Sequence, residues 1–61
     1  MVQTPQEYIR RLIKKGYKEQ WIAKKVDVSQ STISRIKEGI VQHPRWETAM
    51  KIERIYLQFV R

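Results

Sequence analysis

Apolar residues along this chain fall in short groups at helical spacing, with polar and charged residues between them. Tyr8, Ile9, Leu12 and Ile13 repeat in steps that place them on one face of a helix. Thr4-Pro5-Gln6-Glu7 supplies its start: Thr4 can cap, Pro5 fits the first helical position, and Glu7 can close a capping box. Lys14 and Lys15 suit the negative end of the helix dipole, and Gly16 can take the left-handed stop. The pattern predicts a helix over about 5–15. Ile22, Ala23 and Val26 share the face of a second helix over about 19–26, whose start is weak because Lys18 is a poor cap. Ser29 caps and Gly39 ends a third, over about 30–38, with Ile33 and Ile36 inward.

The stretch from Arg45 to Arg61 contains no Gly or Pro and carries two apolar stripes. It is expected to be helical over at least Arg45–Arg54. Ile55-Tyr56-Leu57-Gln58-Phe59-Val60 is also rich in strand formers, so the tail fits either helix or strand. Trp46, Ala49, Met50, Tyr56, Leu57 and Val60 are expected to face the core. That leaves Ile52, Ile55 and Phe59 as a second stripe, a candidate two-fold interface with another copy of the chain. The predicted fold is a small all-α domain of four or five helices, occupying residues 1–61.

Composition narrows what such a domain can do. A 61-residue chain buries only roughly 60% of its unfolded surface and often leans on a partner. The absence of Cys excludes disulfides and thiolate metal sites. His43 is the single His, placed before Pro44 in an expected loop, and no nucleophile–base set or phosphate-cradling Gly-rich loop can be assembled around it. Neither an enzyme nor a cofactor, metal or small-molecule ligand is expected. No run of about 18 apolar residues or signal-peptide h-region is present. Thirteen Lys and Arg against six Asp and Glu give +7, which favours a polyanion: nucleic acid first, an anionic membrane surface second.

The third helix decides between these. Advancing about 100° per residue, Ile33 and Ile36 fall together, while Ser31, Ser34, Arg35 and Glu38 lie opposite and Gln30 stands at the leading edge. A helix lying on a membrane needs an apolar face bordered by basic residues. This helix instead presents short hydroxyls that allow close approach, an amide that can pair with adenine, and a guanidinium that can pair with guanine. Gln30, Ser31, Ser34 and Arg35 are the candidate base-reading residues. Two short helices separated by two or three residues, with small Ala23 at the crossing and Ile22, Val26, Val28, Ile33 and Ile36 as the wedge, have the local signature of a helix-turn-helix over about 19–38.

The segment Glu19–Gly39, E-Q-W-I-A-K-K-V-D-V-S-Q-S-T-I-S-R-I-K-E-G, resembles the helix-turn-helix of the lambdoid phage repressor and Cro family. His43-Pro44-Arg45-Trp46 is similar to that family's basic-Pro-Arg-aromatic stretch, and the resemblance spans roughly residues 5–52. It implies that Gln30, Ser31 and Arg35 reach bases and that Arg45 approaches the DNA backbone or minor groove near the operator centre. Lys18, Gln20, Thr32, Lys37 and His43 join Arg45 as candidates for backbone or minor-groove contact. The chain departs from the pattern at the turn, where Asp27 replaces Gly, and at the second helix, where Lys18-Glu19 replaces a Thr or Ser cap and Gln. Glu19 would repel phosphate there, leaving Lys18 or Gln20 to take the contact. Arg10, Arg11, Lys14, Lys15, Lys24 and Lys25 read mainly as solubilising charge, with a few touching phosphate. Trp46 reads as core, and Trp21 as packing on the flank of its helix rather than stacking on bases.

The expected function is sequence-specific binding of duplex DNA as a homodimer, weak and DNA-dependent, in a Cro-like repressor working at the nucleoid in a bacterial cytoplasm. An antitoxin or excisionase-like DNA-binding module is the alternative within this class. A basic module for a protein or membrane surface is the alternative outside it.

Overall fold

The computed structural model describes residues 4–60, in which four helices and no strand are present. Residues 1–3 and Arg61 of the expected 1–61 domain lie outside the described residues. Helix α1 spans Pro5–Lys14, with the Thr4 hydroxyl accepting from the Glu7 amide at 3.3 Å and Lys15 closing the C-terminus. Helices α2 (Glu19–Val26) and α3 (Gln30–Glu38) have the expected limits. Helix α4 runs over Trp46–Phe59, so the ambiguous tail is helical. None of the four is long and apolar enough to cross a membrane.

Local chemistry explains where the elements stop. Asp27 ends α2 in the left-handed region at φ 65°, ψ 46°, and the amides of Asp27 and Val28 both donate to the Ala23 carbonyl. Asp tolerates this conformation better than most residues, so the turn survives without glycine. Ser29 then opens α3 by accepting from the Thr32 amide at 3.2 Å. Gly39 closes it at φ 85°, and the Ile40 amide reaches back to the Arg35 carbonyl at 2.9 Å. A side chain at position 39 would also press on the Gln6 amide, 3.2 Å from where its Cβ would stand.

α1 and α2 each pack on both α3 and α4. The core between them is Ile9, Leu12, Ile22, Ala23, Val26, Ile33, Ile36, Ile52 and Ile55. The first seven match the expected inward stripes; the last two correct the reading of α4. Ile52 is fully buried and Ile55 nearly so, while Phe59 is half-buried against Tyr17 and Trp21, with ring centres 5.8 and 4.9 Å away. These three therefore seal the core and are not a free dimer face. Conversely, Trp46, Met50 and Leu57, expected inside, are 73%, 38% and 49% exposed.

The two stripes lie roughly 160° apart at about 100° per residue, so both cannot point inward. Thr48, Ile52, Ile55 and Phe59 form an uninterrupted row at i, i+4, i+7 and i+11. The corresponding row from Trp46 through Met50 to Leu57 has Glu53 at its third position. Burying that carboxylate would require removing it from water, which decides the orientation. Glu53 instead stays exposed and accepts from the Tyr8 hydroxyl at 3.2 Å. Burial of the Tyr8 phenol, followed by this bond, raises its pKa above the ordinary value.

Candidate nucleic-acid interface

The geometry of α3 begins with its two inward isoleucines. Burying Ile33 and Ile36 in the core turns Gln30, Ser31 and Arg35 into solvent, with Ser34 half-buried beside them. Capping by Ser29 leaves the first turn of α3 formed, so that Gln30 and Ser31 are held on rigid backbone. All four candidate base-reading residues therefore share one protein surface.

Two margins of mixed charge adjoin that surface. On one side, Lys18, Glu19 and Gln20 at the start of α2 line a shallow concavity together with Gln30. On the other, Thr32, His43 and Arg45 line a cleft between the turn and the loop that leads into α4, with Lys51, Asp27 and Glu47 also at its wall. His43 and Arg45 are both exposed, and Arg45 sits immediately before the first turn of α4. Thr32 points its hydroxyl back at the cap, 2.9 Å from Ser29 Oγ. The arrangement offers hydrogen-bonding side chains at its centre and a cation at each edge, Lys18 on one and Arg45 on the other, among neighbouring carboxylates.

Lys37 behaves differently from a free surface cation. Its Nζ lies 2.6 Å from Glu19 Oε2 and 3.8 Å from Glu38 Oε2. The hydrogen bond to Glu19 holds the Lys37 ammonium protonated to higher pH than usual. The pair joins the start of α2 to the last turn of α3. It also answers the repulsion anticipated from Glu19: that carboxylate is engaged by Lys37, while Lys18 makes no ion pair among the described residues. The backbone of Lys37 is engaged as well, since its carbonyl accepts from Gln6 Nε2 at 3.0 Å and Arg10 Nε at 3.2 Å. These bonds satisfy a helix-end carbonyl that α3 itself cannot pair, and tie α1 to α3. None of these three bonds has a local sequence signal, because their partners lie 18, 31 and 27 residues apart.

Trp21 stacks on Tyr17 with centroids 4.5 Å apart, meets the edge of Phe59, and has Lys25 Nζ 5.7 Å from its ring centre. This cluster joins the end of α4 to α2, which gives the off-axis Trp21 the flank-packing role expected of it.

The surface can therefore accept a strip of polyanion whose interior edge carries hydrogen-bonding groups. The chain matches a family model described as helix-turn-helix over residues 6–56. No curated protein and no solved structure matches the chain.

Proposed function

This chain belongs to the helix-turn-helix family of the Cro/C1 type, whose members are DNA-binding regulators, and from that premise we propose that it is a Cro-like repressor. In this reading it binds a pseudo-palindromic operator as a homodimer and represses by occupying it, at the nucleoid of a bacterial host. Gln30, Ser31, Ser34 and Arg35 read base edges in the major groove. Lys18 and Gln20 on one margin, and His43 and Arg45 on the other, hold the backbone. One domain supplies one recognition helix, which spans few base pairs; a second copy about 34 Å along the duplex supplies the rest.

The observation that carries this reading is the exposed polar outer face of α3, with Lys18 on one side and Arg45 on the other, on a chain of net charge +7. A solvated helix with no nucleic-acid role requires no such sequence of amide, hydroxyls and guanidinium. Selection of bound duplexes from a random pool provides the test. Arg35→Ala should cost about 1–3 kcal/mol on the selected site and relax preference at one base pair, with Gln30→Ala acting at a neighbouring position. Equal losses on selected and random duplexes would overturn the base-reading assignment.

A further inference from the structure

The outward face of α4 carries a row that the fold leaves uncovered: Trp46, Met50 and Leu57, 73%, 38% and 49% exposed. Trp46 and Met50 line two shallow grooves at once. One also contains Glu47, Lys51 and Arg54, the other Pro5, Tyr8, Ala49 and Glu53. Shape and charge alternate across this patch, ridge beside groove and acid beside base.

We propose that this ridge contacts a second copy of the chain, with α4 packed antiparallel on the partner's α4 about a two-fold axis level with residue 51. The proposal rests on the dimeric reading above and assigns the surface that performs it. In an antiparallel two-fold pair each flank of a helix faces the same flank of its copy. At about 1.5 Å rise per residue, that axis brings Trp46 level with the partner's Leu57 to within about 2 Å. Met50 stands about 3 Å along the axis from the partner's Met50. The flank carrying Glu47 and Arg54 then sets each Glu47 beside the partner's Arg54, again within about 2 Å along the axis. One operation thus matches the apolar residues and the charges together. Glu53 stands in the same row, about 6 Å along the axis from the partner's Glu53; each carboxylate keeps its hydrogen bond from Tyr8, and the two like charges weaken the contact further.

The size of the patch sets the strength of the contact. The three exposed side chains offer on the order of 350 Å² of apolar surface per copy. A stable interface buries about 800 Å² per partner. The free chain is therefore largely monomeric, and two copies held on one duplex meet at an effective concentration near the millimolar range. Pairing on DNA follows from the area.

The test uses the duplex recovered by random selection and the same duplex with one half-site scrambled. Trp46→Ala should weaken binding to the two-half-site duplex about thirtyfold and leave single half-site binding within about twofold. Glu47→Arg and Arg54→Glu should each weaken two-half-site binding relative to single half-site binding, a ratio that removes any effect of Glu47 on the adjoining DNA margin, and the two together should restore it. Because the chain has no Cys, Met50→Cys creates a single thiol; its oxidation on the duplex should give a covalent dimer, while Lys24→Cys, on the exposed side of α2, should not. Full cooperativity in Trp46→Ala, or a double charge reversal no better than its single components, would overturn the proposal. If random selection recovers no duplex, the DNA-reading assignment fails. The contact is still decided by oxidising Met50→Cys protein at millimolar concentration without DNA, where absence of cross-linking counts against it.

Discussion

Ile52→Ala and Trp46→Ala change two large apolar residues of α4 to the same small one, yet the structure assigns them opposite consequences. Ile52 is fully buried, so its truncation removes three carbons from the centre of the core and leaves a cavity among α1, α2 and α4. Such a change costs about 2–5 kcal/mol. A chain of this length has about 3–9 kcal/mol of stability in all. At about 4–8 °C per kcal/mol, Ile52→Ala should lower Tm by more than about 10 °C or leave the chain unfolded at room temperature. Trp46 has about a quarter of its surface covered, roughly 60 Å², so its truncation removes at most about 1.5 kcal/mol. Thermal unfolding of both proteins followed by far-ultraviolet circular dichroism measures the contrast. If Trp46→Ala lowers Tm as far as Ile52→Ala does, the outer row of α4 is part of the core, and the assignment of the two stripes is wrong.

Two further substitutions examine the interface and the turn. Glu19→Gln removes the charge that engages Lys37, freeing an ammonium at the edge of the proposed DNA-reading surface. The slope of log K against log salt should steepen by about 0.9, and affinity for random duplexes should rise relative to the selected site; an unchanged slope would show that Lys37 does not face phosphate. Asp27→Gly relieves a left-handed backbone and should raise stability by about 0.5 kcal/mol, whereas Asp27→Val should lower it by about 1–2 kcal/mol. A valine tolerated there in chemical denaturation would refute the left-handed turn.

The start of α1 and both limits of α3 were legible in the sequence because their causes lie within a few residues of one another, whereas the strand-forming tail of α4 left its end open. Thr4 and Glu7, Ser29 and Thr32, and Gly39 with the carbonyls behind it each close a short loop of hydrogen bonds. The same locality made the polar face of α3 visible, since Ile33 and Ile36 define its opposite. For α4 the sequence offered two apolar rows and one discriminating residue, Glu53, whose cost of burial selects Ile52, Ile55 and Phe59 for the interior. Without attention to that carboxylate, the larger Trp46, Met50 and Leu57 appear the better core. The Glu19–Lys37 pair, the bonds from Gln6 and Arg10 to the Lys37 carbonyl, and the edge contact of Trp21 with Phe59 were decided by tertiary structure alone. Each joins residues on different helices, and their approach depends on how buried isoleucines set the crossing of those helices. Helical periodicity specifies the direction of a side chain about its own axis, while the distance to a neighbour on another helix exists only after the helices have packed.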